Sequence, residues 1–439
     1  MRISERPDAN PGRYLLSRRA GRAALRKLGL HYPDPVKWID REQQLNDRIT
    51  CKGDYPIHPI SVPVDFWPEQ QPVFWLPEFE APKDQFRLLK NPMRSLPWYF
   101  LGANPDFYSH LVHPLTVNYF LSRGLKDARW KKPRFLATPM ASHRTLLVWN
   151  PRSNIPPFAA KTSVNVWIGG LNRNVRLLEI RCSVGMSSLL AAIPRTDLHR
   201  QGILLLDDAV GLLHRQTNAG VLARDIPSKL EPGEEIVPLF SLLAARGGRR
   251  PLIVDLISSS RLKPTAWVDK FIFKPLIYQA FFLGMNEGLV GEMHEQNILM
   301  QLHHGKPTKR FWHRDLGGFL LDKDLRRLAN KDFAGLPEGI QEQHLGRNLS
   351  IFHEVVRMYL QESTGYAVAH ALRNHFQIDT EDFADLYNLR VSELQQLVLS
   401  AKGIPTTGNF EKDLDRFRKR RTASGAWPWR SLKQALRDW

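Results

Sequence analysis

Apolar and polar positions along this chain fall into three textures. Near the start, Leu15, Ala20, Ala24 and Leu28 recur among arginines at helical spacing, which predicts a basic helix over residues 14–28. From about residue 51 to 110 prolines recur too often for long helices, and extended segments joined by turns are expected. Residues 134–260 mix short β-like runs with helical ones. Residues 144–149 (RTLLVW) and 163–168 (SVNVWI) read as strands, the second alternating Val164, Val166 and Ile168 against Ser163 and Asn165. An antiparallel sheet with helical decorations fits this stretch. After Pro264 helices dominate, expected over residues 266–284, 351–365, 367–376 and 391–401. Between the first two, residues 298–302 and 309–312 predict two strands joined by a polar turn at 303–307.

The fold class expected is therefore α+β, with a β-rich lobe before a boundary near residue 262 and a mainly helical lobe after it. No internal repeat is visible. The 439 residues are 43% hydrophobic and 24% charged, a globular composition long enough for two or three domains. No apolar run approaches the ~18 residues of a membrane span. Two cysteines, Cys51 and Cys182, support neither a disulfide framework nor a cysteine-built zinc site, and with no signal-like segment a reducing cytoplasm is expected.

Charge changes the picture at the ends. The net charge is +18. Residues 1–27 hold eight Arg or Lys against two acids, and residues 412–437 hold nine against two. Such blocks suit nucleic acid or acidic lipid, and equally a solvated face. No zinc-finger or RNA-recognition signature accompanies them, so nucleic acid is not the expected partner.

Several enzyme classes are excluded by their missing residues. No G-x-x-x-x-G-K-[ST] is present, and Gly305-Lys306 is followed by Pro307. His294-Glu295 lacks the second zinc-ligand histidine. His313-Arg314-Asp315 echoes a kinase catalytic loop, but Leu320 stands where its asparagine belongs. What remains is two polar clusters. Ser142-His143-Arg144-Thr145 enters a strand, with Lys161 and Arg173 following, and hydroxyls beside Lys and Arg make an anion cradle or ordinary surface charge. Glu292, Asn297 and Asp315 offer hard oxygens of the kind that hold Mg²⁺, or ordinary caps and turns.

Taken in order, Ile57-His58-Pro59, Ser142-x-Arg144-Thr145-Leu146, Lys161-x-Ser163 with Arg173, Glu292-x-His294-x-Gln296-Asn297 and Arg314-Asp315 resemble the motif series of the siderophore synthetases independent of non-ribosomal peptide synthetases, the aerobactin-synthetase (IucA/IucC) family. The resemblance covers roughly residues 51–430. It implies a cupped hand of thumb, fingers and palm, and an ATP-dependent ligase that adenylates a carboxylate such as citrate before passing the acyl group to an amine or hydroxyl. By resemblance, His58, Ser142, Arg144, Thr145, Lys161 and Gln296 contact ATP. Glu292, Asn297 and Asp315 hold Mg²⁺. His294, Arg173 and Lys161 serve catalysis, and His294, Arg173 and Lys412 the substrate. His294 either orients the substrate or accepts a proton. The implied partners are a small-molecule carboxylate and an amine, and a homodimer is compatible.

The chain departs from that pattern in two places. About 50 residues precede the His58 segment where the family has a longer N-terminal region, so a thumb largely missing is expected over residues 1–50, with fingers over 51–262 and palm over 263–439. Gly169-Gly170 stands where a threonine pair usually contacts the carboxylate, which leaves citrate specificity open. The alternative reading is a non-catalytic relative that binds nucleotide or a partner. The related ferric-siderophore reductases need a cysteine-held iron–sulfur cluster, which two distant cysteines cannot supply.

Overall fold

The computed structural model describes residues 7–43, 62–125, 128–168, 171–227, 230–244, 250–331, 333–334, 336–337, 340 and 356–400. His58, Gly169-Gly170, Lys412 and the basic C-terminal run lie outside the described residues.

Two N-terminal helices, α1 (Arg18–His31) and α2 (Pro33–Glu42), lead into the first strands. The basic helix starts at Arg18 rather than residue 14, because Pro11–Tyr14 forms a separate 3-10 turn and Ser17 caps α1 by accepting the Ala20 N–H at 3.4 Å. Gly21 lets α1 close on Val73. The strands that follow are β1 (Phe74–Pro82), β2 (Phe86–Lys90), β3 (Phe107–Leu111), β4 (Arg129–Pro139), β5 (Thr145–Trp149) and β6 (Phe158–Thr162), with the short helix α3 (Val117–Ser122) before β4. The proline-rich segment contains β1 to β3 and several 3-10 turns, as its composition predicts. Pro77 lies inside β1 at the point where the register with β4 shifts between Leu76 and Glu78, a position that tolerates the missing N–H.

A hairpin of β7 (Val164–Ile168) and β8 (Leu171–Arg173) runs into helix α4 (Leu177–Ala191) and α5 (Arg195–Arg200). Then come β9 (Ile203–Leu205), β10 (Asp208–His214), β11 (Ala219–Arg224) and β12 (Glu234–Pro238). The main sheet is antiparallel and eight-stranded, ordered β2-β10-β11-β6-β5-β4-β1-β3. β5 explains why its sequence is apolar without alternation. Leu146 and Val148 enter a core with Phe79, Phe120 and Phe135, while Leu147 and Trp149 enter another with Trp38 and Leu299 on the opposite face.

The second half carries α6 (Leu239–Leu243), α7 (Leu252–Ser260), α8 (Pro264–Val268) and α9 (Lys274–Glu287), then β13 (Leu289–Val290), β14 (Ile298–His303), β15 (Lys306–His313) and β16 (Leu320–Leu321). The expected helix over 266–284 is present but interrupted by a wider π turn at Asp269–Phe273. Pro275 follows directly, and a widened turn relieves its clash with the preceding carbonyl. The predicted 298–312 hairpin forms as β14 and β15, turning through His304 and Gly305 at positive φ. It joins a second sheet ordered β12-β14-β15-β9. The large core that holds Trp267, Phe273 and Phe311 also includes Met186, Val237 and Phe383, and so contains residues on both sides of position 262. A π-helical segment, Arg357–Gly365, and the helices Tyr366–Phe376 and Thr380–Ser400 complete it. The molecule is thus a mixed α/β protein built on one large antiparallel sheet. Among the described residues no helix is long and apolar enough to cross a membrane.

Candidate active site

Strand register sets the first half of the site. Thr145 of β5 pairs with Lys161 of β6, Lys161 with Leu222 of β11, and Asp208 of β10 with Arg224 of β11, so Thr145, Lys161, Arg224 and Asp208 share one face of the sheet. Lys161, Arg224 and Asp208 are all buried. Charges buried together must be paired, and here the pairs alternate in sign. Arg224 forks onto Asp208 at 2.6 and 3.0 Å and reaches Asp315 Oδ1 at 3.0 Å. Lys161 Nζ lies 2.8 Å from Asp315 Oδ1 and 2.8 Å from Glu179 Oε1. Arg144 Nη2 closes the row on Glu179 Oε1 at 2.9 Å, while its Nη1 donates to the Arg173 carbonyl at 3.2 Å.

Electrostatics follow from that row. Burial alone would raise the Asp315 carboxyl, but Lys161 and Arg224, with Arg144 behind them, hold it well below the usual carboxylate range. Glu179 behaves alike, lowered by Lys161 and Arg144 against its burial. Burial and the neighbouring Arg144 lower the Arg173 guanidinium, while Glu179 and Asp315 act the other way. Four cations and three carboxylates form this row, and Glu292, which interacts with both Asp315 and Lys161, brings the two signs level.

The turn before β5 is closed by its own polar groups. Thr145 N–H donates to the Ser142 carbonyl at 3.3 Å, Arg144 N–H to Ser142 Oγ at 3.4 Å, and Met140 N–H to the Thr145 carbonyl at 2.8 Å. From the other side comes the Glu292–Asn297 segment, whose Gln296 side chain donates to the Ala141 carbonyl at 3.2 Å. His294 accepts the Gln296 N–H on Nδ1 at 3.2 Å, so the proton of its neutral ring sits on Nε2. Burial, ahead of every charge around it, keeps that imidazole neutral, with Arg314 acting in the same direction. In this arrangement the hydrogen of the ring lies on Nε2.

Glu292 accepts from Tyr359 Oη at 3.0 Å, and its carboxyl is raised by burial and, after the opposing Tyr359 bond, by Asp315. Gly318 makes the room, because a Cβ there would lie 2.2 Å from Glu292 Oε2. Asp315 occupies the left-handed region, φ 56°, a conformation that Asp tolerates better than most residues. Asn297 is buried and ties the segment through its backbone, its N–H to the His294 carbonyl at 3.0 Å and its carbonyl to Arg314 N–H at 3.1 Å. Among the described residues no three His, Cys, Asp or Glu side chains gather as a metal site.

The sequence-derived residues Ser142, Arg144, Thr145, Lys161, Arg173, Glu292, His294, Gln296, Asn297 and Asp315 thus fall in one neighbourhood. The row that holds them also contains Glu179, Arg224 and Asp208, which sequence reasoning missed. Glu179 lies six residues beyond Arg173 at a strand-to-helix junction, a weak cue. Arg224 and Asp208 carry no local signal, since only the β10–β11 register brings them together.

No protein-family model and no curated protein matches the chain. Solved structures do. Aerobactin synthetase IucC from a hypervirulent pathotype of Klebsiella pneumoniae is similar over 86% of this chain and 75% of its own, with a TM-score of 0.60 and 16% identity. The petrobactin biosynthesis protein AsbB from Bacillus anthracis str. Sterne matches over 95% of this chain and 76% of its own, at TM-score 0.64 and 16% identity. ATP-bound aerobactin synthetase IucA from the same Klebsiella pathotype matches over 86% and 73%, at TM-score 0.59 and 17% identity. This chain therefore has the fold of the aerobactin synthetases and of the petrobactin protein AsbB.

Proposed function

We propose that the protein is an ATP-dependent siderophore synthetase of the IucA/IucC kind. It adenylates a carboxylate, citrate or a related acid, and condenses it with an amine, hydroxylamine or alcohol. One observation carries the reading: Arg144, Lys161 and Arg173 gather with Asp315, Glu292 and a neutral, Nε2-protonated His294, on the fold of a synthetase solved with ATP. In this reading the eight-stranded sheet serves as fingers and the helical half as palm, working in the cytoplasm.

Attack of a carboxylate on the α-phosphorus of ATP brings two anions together. Arg144, Lys161 and Arg173 offset that repulsion and stabilise the charge gathering on phosphorus. Lys161 and Arg144 exchange carboxylate partners for phosphate oxygens as nucleotide arrives. Ser142 and Thr145 shape the loop that receives the phosphates, and His294 donates from Nε2 to the acid being activated. Glu292, Asn297 and Asp315 offer hard oxygen donors that would hold Mg²⁺, an ion that usually takes only one or two carboxylates from a protein. When bound, that ion neutralises phosphate charge. His58 and Lys412 belong to the same proposal.

Purified protein given ATP, Mg²⁺, hydroxylamine and a panel of di- and tricarboxylates should form a hydroxamate with at least one acid. Binding of ATP without turnover of any acid would favour the non-catalytic alternative. Asp315→Asn sharpens the test. Asn keeps an acceptor for Lys161 and Arg224 and suits the left-handed turn, but it removes a charged ligand. The Mg²⁺ concentration for half-maximal activity should rise several-fold, and an unchanged midpoint would take Asp315 out of the metal site.

A further inference from the structure

The last turn of α2 carries a carboxylate that its own helix does not favour. Glu42 is completely buried, and an acid at a helix C-terminus opposes the helix dipole. A buried carboxylate persists only where partners compensate it, and Glu42 has two. Its Oε1 lies 2.6 Å from Arg314 Nη1, and its Oε2 accepts the Ala141 N–H at 3.2 Å. Arg314 in turn donates through Nε to the Gln296 carbonyl at 2.8 Å. Gln296 returns through its side chain to the Ala141 carbonyl at 3.2 Å. The four residues therefore form a closed ring of hydrogen bonds across 272 residues of sequence.

Three members adjoin site residues in sequence, and Gln296 is itself one of the residues that the resemblance places on ATP. Ala141 precedes Ser142 and Arg144, Gln296 sits between His294 and Asn297, and Arg314 precedes Asp315. The neighbours of Glu42 reinforce the same junction. Arg41 pairs with Glu235 of β12 at 2.7 Å, and the Gln43 side chain donates to Thr138 Oγ1 and the Pro139 carbonyl, both at 2.7 Å. Three successive residues at the end of one helix thus grip both sheets. An ion pair serving only the core needs Glu42 and Arg314 alone, whereas the bonds to Ala141 and Gln296 fix the spacing between the two halves of the site.

We propose that Glu42 is a positioning residue, and that α2 is a working part of the site because Glu42 locks the Ser142–Thr145 turn to the Glu292–Asn297 segment through Arg314. Its effect on turnover rests on the synthetase reading, but its effect on the loop does not. The test therefore begins with hydrogen exchange on the full-length, ligand-free protein. In Glu42→Gln the amide can accept from Arg314 or from Ala141 but not from both. Exchange over residues 139–146 and 292–298 should quicken about tenfold, while α7 (Leu252–Ser260) keeps its wild-type rate. Arg314→Gln should do the same, and the double variant no more, since the ring opens once. Gln296→Ala, altered at an exposed side chain, opens the ring with little risk to folding and should quicken residues 139–146 alone. Unchanged exchange in these segments, or an equal increase in α7, would overturn the proposal. With ATP as the second probe, Glu42→Gln should raise the KM for ATP about tenfold with a smaller change in kcat. Faster loop exchange with an unaltered KM would refute positioning. A wild-type protein that is inert with every carboxylate, yet shows the exchange pattern, would remove the synthetase reading and support the lock.

Discussion

Lys161→Met should lower carboxylate-dependent turnover by roughly 10- to 150-fold or more, and should lower the thermal midpoint by several degrees. Lys161 is not a free cation waiting at a cleft wall. Its ammonium is buried between Glu179 and Asp315 at 2.8 Å from each, and it offsets the repulsion by which Asp315 opposes ionisation of Glu179. Removing the lysine deletes a phosphate contact worth ~1.5–3 kcal/mol and leaves Glu179 with Arg144 alone and Asp315 with Arg224 alone, where each carboxylate had a second buried cation. Breaking a buried pair costs about 3–5 kcal/mol, taken here at the lower end because a third of the Asp315 side chain is exposed. Lys161→Arg, which keeps the charge, should recover most of the stability and less of the activity, since a planar fork cannot occupy a point between two acids. Thermal unfolding and the hydroxamate assay on both variants check this, and wild-type kinetics in Lys161→Met would contradict it.

Acid should unfold the protein steeply between about pH 6 and pH 4. Four histidines are buried in apolar surroundings. His110 stacks on Phe79 and Phe86, and His214 meets the same two rings edge-on. His113 packs between Phe66 and Phe74, and His313 donates from Nε2 to Gln279 at 2.9 Å. Burial pushes His110, His113 and His313 down to about 3 and His214 to about 4, with His214 adding to the effect on His110 and His143 to that on His113. The unfolded chain binds protons at these groups near pH 6.5, the folded chain does not. Their contribution is therefore intact above pH 6.5 and is lost as pH falls toward the folded values. Four such protons give a slope of about 5 kcal/mol per pH unit in the middle of that window. Asp225 and Glu292, both raised chiefly by burial, offset part of it at the acid end. Urea unfolding at several pH values should report an uptake of about four protons. His110→Phe, which keeps the stack, should reduce it by about one. A pH-independent stability from 7 to 5 would contradict the burial assignment.

What the sequence made legible was local. The 298–312 hairpin was readable from two short strand-like runs and the polar turn at 303–307 between them, and the clusters at 142–145 and 292–297 from their unusual polar composition. Their meeting was implied by resemblance, not by periodicity. Glu179, Arg224 and Asp208 stayed hidden because strand register and a helix start bring them to Lys161 and Asp315, and neither has a residue-level signature. Glu42 was invisible for a further reason, since its partner lies 272 residues away and a polar residue at a helix end looks solvated. The helix over 266–284 was legible, but its π turn at Asp269–Phe273 was not, because the helix that follows is buried on nearly every side and a one-residue shift of an apolar pattern leaves no mark.

Carboxylate-dependent exchange of labelled pyrophosphate into ATP tests the central claim most directly, since it reports reversible adenylation before any amine is added. Wild-type protein with Mg²⁺, ATP and one member of the di- and tricarboxylate panel should show exchange that vanishes without the acid and falls 10- to 150-fold, as one charge-assisted phosphate contact of ~1.5–3 kcal/mol predicts, in Arg144→Ala. Cleavage of ATP to ADP and phosphate instead, or no exchange with any acid in a protein that binds ATP, would contradict acyl-adenylate formation at this site.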